Sequence, residues 1–227
     1  MLAFRFAAPL LALLCASSLF GQGTAIAQNS APPALSASSL LDPIDKMNLP
    51  AVMRMMQEVL NAQGKLTFQA VGVFTPAAPS KPVRMASETS FTISDAVADA
   101  ARCTLSLHSV DESRDDTGAR ATAESSIVLA MRDVEALEIQ SVIEGYRTGT
   151  ERNTSWDVFP PTFILHVLLN AGKTYQDHTR FTDDRGVVTE ADSEMRGGFW
   201  LYFGEEPIAR RMAEAMERAS MLCAGKK

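Results

Sequence analysis

Apolar positions along the chain change their period several times, and each change marks an element. From Asn48 to Gly64, the residues Leu49, Val52, Met53, Met56, Val59 and Leu60 recur three and four apart, the spacing of one helical face. Asn48 is a favoured N-cap, Pro50 falls in the first turn and Gly64 suits the end, so the pattern predicts a helix there. Met53, Met55 and Met56 read as core of that helix. After Gly64 the period drops to two. Leu66, Phe68 and Ala70 alternate with Thr67 and Gln69, which predicts a strand. Pro76, Pro79 and Pro82 mark a turn-rich connection, and a second strand is expected over residues 88–93. Over residues 102–108, Cys103, Leu105 and Leu107 share one face and Thr104, Ser106 and His108 the other, a half-buried strand with Cys103 pointing inward.

Residues 111–118 carry charged and hydroxyl side chains without an apolar anchor and read as a solvated loop. Strand character returns at residues 126–131 and 137–143, and residues 145–157, which include Trp156, read as a second polar loop. Residues 163–169 are apolar on both faces except for His166, as expected of a central strand covered on both sides. The short turn Asn170-Ala171-Gly172 then predicts a hairpin that pairs this strand with residues 173–181. A turn at residues 183–186 and a strand at 199–203 follow, the latter with Phe199, Leu201 and Phe203 on one face and Trp200 and Tyr202 on the other. Ile208, Met212, Ala215, Met216, Ala219 and Leu222 form the stripe of a last helix, residues 206–223, which Pro207 opens and Gly225 ends. The fold class is α+β: an antiparallel sheet or partly closed barrel of about seven or eight short strands, with an N-terminal helix and a C-terminal amphipathic helix packed on it. In element order alone this resembles pleckstrin-homology-like barrels, and no function is carried over with the resemblance.

The one long apolar run lies at the extreme N-terminus. Arg5, the apolar run around residues 10–14 and Ala25-Ile26-Ala27 have the pattern of an export signal covering residues 1–27. A Ser-, Ala- and Pro-rich stretch, residues 28–46, reads as a disordered leader, and residues 47–225 as a single domain. Removing the signal takes Cys15 with it and leaves Cys103 and Cys223, an even pair that predicts one disulfide in an exported, periplasmic or extracellular chain. Composition narrows the class further. Of 227 residues 46% are hydrophobic and 21% charged, the values of a globular protein. The net charge of -6, with no basic cluster, argues against a nucleic-acid partner. With the signal cleaved, no integral membrane span is expected.

Strong catalytic signals are absent: the sequence has no H-E-x-x-H, C-x-x-C, G-x-S-x-G, G-x-G-x-x-G or Walker pattern, and neither cofactor nor metal is expected. The predicted hairpin would set His166 opposite Asp177 or His178, a weak acid/base or metal constellation. Trp200, Tyr202 and Trp156 offer an aromatic surface for a ligand. The leading expectation is an exported non-enzymatic domain that binds a hydrophobic ligand, a lipid or a protein partner through its sheet face or a helix–sheet groove. Two alternatives stand beside it: a hydrolase or other enzyme using His166, His178 and Asp177, and a structural component of the cell envelope.

Overall fold

The computed structural model describes residues 43–75, 81–149 and 154–225. The expected export signal, most of the expected leader, and Pro76 and Pro79 lie outside these residues. The end of the leader is described: Ile44–Lys46 forms a 3-10 turn, and Ile44 is buried in the core. Helix α1 (Leu49–Ala62) begins with Asn48, whose side-chain Oδ1 accepts the Ala51 N–H at 3.0 Å, and buries Val52, Met53, Met55, Met56, Val59 and Leu60.

Among the described residues ten strands and two further helices follow. Strands β1 (Lys65–Phe74), β2 (Val83–Asp99), β3 (Thr104–Asp115) and β4 (Arg120–Ala130) form a meander. Next come β5 (Val134–Ser141), helix α2 (Val142–Gly149), β6 (Thr154–Phe159) and β7 (Phe163–Leu169). The chain closes with β8 (Thr174–Thr182), β9 (Val188–Arg196), β10 (Gly198–Phe203) and helix α3 (Glu206–Cys223). The strands make a seven-stranded sheet, order β6-β1-β2-β3-β4-β8-β9, and a three-stranded sheet, order β10-β7-β5. Every pairing is antiparallel. The α+β class therefore holds, but neither sheet closes into a barrel and the strands are long: β2 alone runs 17 residues.

Helix α1 takes over where a strand runs out. β1 pairs with β2 only as far as Lys65 opposite Thr92, and beyond that the register of β2 shifts, with Asp95 at a positive φ of 54°. There the Asn61 amide of α1 donates to the Ala96 carbonyl and accepts from the Ala96 N–H, each at 2.9 Å, while Gln57 accepts from the Ala98 N–H. Two side chains thus satisfy backbone groups that would otherwise lack partners. Below this contact α1, α3 and both sheets share one core containing Met53, Met56, Leu105, Leu129, Leu165 and Leu201. Each such side chain contributes about 1.5–3 kcal/mol by leaving water.

Four expectations need correction. Residues 111–115 continue β3, because β2 and β4 both pair with them; Glu112 projects outward to a 2.6 Å ion pair with Lys65. The expected loop at 145–157 holds most of α2 and the start of β6. The signal for α2 was present as Ser141-Val142-Ile143-Glu144, a reciprocal cap in which the Ser141 N–H donates to the Glu144 carboxylate at 2.9 Å and the Glu144 N–H to Ser141 Oγ at 3.3 Å. The hairpin between residues 163–169 and 173–181 does not form. β7 is indeed central and apolar, but β5 and β10 occupy its two sides, so β8 crosses to the other sheet and pairs with β4 and β9. Finally, Cys103 sits before β3, in a tight turn where Asp99 Oδ1 accepts the Ala101 and Arg102 N–H groups, and not on the strand face. It still meets Cys223, the last residue of α3, in a disulfide with Cα atoms 5.8 Å apart.

Candidate functional site

The crossing of β8 into the large sheet separates the residues that the hairpin would have aligned. His166, on β7, stands in a cross-strand row between Glu138 of β5 and Trp200 of β10. Its ring meets the Trp200 indole edge-on, centroids 5.9 Å apart. Partial burial holds its pKa below the ordinary histidine value, with Glu138 pulling the other way. His178, on β8, instead bonds Asp192 of β9 at 2.7 Å in an exposed pair. Asp177 neighbours His178 in a strand and so faces the opposite side of the sheet. It is only 9% exposed, and its Oδ1 is buried without a hydrogen-bond donor. The three side chains therefore do not share a strand pair, and the proton-transfer geometry expected of them is not assembled.

The three aromatic residues do not form one exposed surface either. Trp156 lies over Gly72, its cross-strand partner, and stacks on Tyr146 with centroids 4.4 Å apart. Tyr202 packs on Phe91 at 4.8 Å and on Phe68 at 6.1 Å. Burial, with the carboxylate of Asp111 as a smaller contribution, raises the Tyr202 phenol well above its ordinary pKa. Burial likewise pushes the Asp111 carboxyl up to about 6. Trp200 alone of the three is well exposed, at 43%. Trp156 and Tyr202 thus serve an aromatic packing cluster, and the expected common surface is reduced to Trp200 beside His166.

A different site, a helix–sheet groove, is lined by residues that the sequence did not single out. Between α3 and β5 runs a groove of about 450 Å³, within the usual range for small-ligand sites. Val134, Leu137 and Ile139 of β5 and Ala213 and Met221 of α3 give it an apolar strip within a largely polar lining. Arg132, Glu135, Glu214 and Glu217 add charge around it. The elements explain its existence. α3 lies on the face of the small sheet, burying Ala209, Met212, Ala215, Met216 and Ala219, all small or flexible side chains that let the helix approach closely. At β5 the sheet stops, because β5 is an edge strand, and the helix overhangs it. Ser220 Oγ anchors the overhang by donating to the Val134 carbonyl at 3.3 Å.

Among the described residues no cluster of three or more His, Cys, Asp or Glu side chains is placed to hold a metal, and no helix is long and apolar enough to cross a membrane. Comparison with protein-family models, curated proteins and solved structures finds no match.

Proposed function

We propose that this chain is an exported, non-enzymatic binding domain that holds an apolar, extended ligand in the groove between α3 and β5. The observation that carries the reading is the groove itself, an apolar strip of β5 and α3 side chains inside a polar rim, set against an unpaired edge strand. Apolar area that water would otherwise wet supplies the driving force for a ligand that covers it. Two further features support it. The N-terminal pattern of a charged residue, an apolar run and an A-x-A site is that of exported chains, and the Cys103–Cys223 disulfide is compatible with an oxidising compartment. The enzymatic alternative has lost the strand pairing that would have brought His166 to Asp177 and His178.

The neutral apolar dye N-phenyl-1-naphthylamine tests the reading. Its fluorescence should rise on binding to the wild-type protein, and Ala213→Trp, which fills the groove, should remove most of that rise. Met221→Glu places a charge on the lining at an exposed position that the fold does not need buried, and should weaken binding without unfolding the chain. Dye binding that is the same in all three proteins would place any apolar site elsewhere and refute the groove.

A further inference from the structure

We infer that the occupant of the groove is an extended, cationic polypeptide segment that adds to the free edge of β5 as a fourth strand of the small sheet. The inference rests on the groove reading above and specifies its ligand. Three observations lead to it. First, β5 has β7 on one side and, among the described residues, no strand on the other. From Ala136 to Ser141 its register with β7 is unbroken. In an antiparallel ladder alternate residues turn their N–H and C=O groups away from the partner, so residues 136–140 present outward donors and acceptors that no strand pairs among the described residues, while the Ser141 N–H is already taken by the Glu144 carboxylate. Proteins usually blunt such an edge with Lys or Pro. The sequence of β5, Val-Glu-Ala-Leu-Glu-Ile-Gln-Ser, contains neither; its protection is the charge of Glu135 and Glu138, which a cationic strand does not oppose, and the bulge between Val134 and Ala136.

Second, the groove runs along this edge. A strand added to β5 would set alternate side chains beneath the overhang of α3, beside Leu137, Ile139, Ala213 and Met221, and turn the others to solvent. Backbone pairing and a side-chain recess thus lie together, the combination that strand addition requires.

Third, the charges select the occupant. Arg210 is engaged by Glu206, four residues earlier on α3. Glu135, Glu214 and Glu217 form no ion pair among the described residues, and Arg132 is the single cation left to oppose them. The rim is therefore negative and favours a positive segment. A second copy of this chain pairing through the same edge would bring two acidic edges together, each carrying Glu135, Glu138, Glu214 and Glu217, and such like-charge juxtaposition is unfavourable.

The test uses the whole protein and three fluorescein-labelled, end-capped octapeptides: (Lys-Val)4, (Glu-Val)4, and (Lys-Val)4 methylated at every backbone nitrogen. The first should bind saturably at low salt, the second at least ten-fold more weakly, and the third not measurably, because it has no N–H to donate. The double variant Glu214→Lys/Glu217→Lys, altered only at exposed positions, should lose at least ten-fold in affinity for (Lys-Val)4. Hydrogen exchange should slow at backbone amides within residues 136–140 when (Lys-Val)4 is bound. Equal binding of the methylated peptide would overturn strand addition, equal binding of (Glu-Val)4 would overturn the charge selection, and a β5-mediated dimer in sedimentation would assign the edge to a second copy. If no peptide binds while N-phenyl-1-naphthylamine still reports the groove, this inference fails and the groove reading survives; if the dye is also silent, both fail.

Discussion

At the scale of single residues, Gly72 shows how close packing fixes identity. A Cβ at this position would lie 2.8 Å from the far edge of the Trp156 indole, and that ring is held by its stack on Tyr146. Gly72→Ala should therefore destabilise the protein by about 1–3 kcal/mol, the usual range for overpacking. In Gly72→Ala/Trp156→Leu the smaller side chain relieves the clash, so the two changes should cost less together than the sum of their separate costs. Urea denaturation of the four proteins measures this, and strict additivity would show that the ring is free to move aside. Asp111 supplies a second test. Burial lifts its pKa from 3.8 to about 6, so the folded carboxyl keeps a proton that the unfolded chain releases between those values. The unfolded state then binds fewer protons than the folded one, and stability falls as pH rises through about 4 to 6. The full effect is about 2–3 kcal/mol at 1.36 kcal/mol per tenfold change in proton affinity. Asp111→Asn should remove it, so the stability difference between wild type and variant should change across that window and level off above it. Parallel curves would contradict the buried carboxyl.

At the scale of elements, legibility in the sequence followed burial. α1, α3, β7 and β10 lie against the core, and their apolar periods gave bounds close to those observed. The end of β3, all of β9 and most of β6 are polar or alternate weakly, because the sheet extends past the helices that cover it. Solvent on a face removes the apolar alternation by which a strand is recognised, while its backbone pairing persists. The partner of β8 was illegible for another reason: Asn170-Ala171-Gly172 specifies a tight turn, but whether a turn leads back along the same strand depends on which other strands compete for its edges. That competition, settled by β5 and β10, also dissolved the His166, His178 and Asp177 constellation. The disulfide was legible from cysteine parity, although Cys103 occupies a turn. It joins the end of α3 to the start of β3 across 120 residues. Cys103→Ser/Cys223→Ser should accordingly lose about 2–4 kcal/mol, measured by denaturation without reductant, and should bring wild type to the same midpoint when reductant is added to both. An unchanged midpoint would mean that the crosslink does not restrain the unfolded chain.

At the scale of the whole molecule, the small sheet and α3 decide the function proposed. No motif announced the groove, because its lining comes from two segments about seventy residues apart that only the fold brings together. What the sequence did carry was the expectation of a helix–sheet groove in an exported chain, without the residues that line it. The central claim is that this groove holds a ligand, and native mass spectrometry of the protein recovered from an exporting host tests it most directly. Wild type should carry a noncovalent adduct that dissociates on mild activation, and Ala213→Trp, recovered in parallel with the same intact Cys103–Cys223 bridge, should come through bare. The same adduct on both proteins, or none on either, would contradict the groove as the binding site.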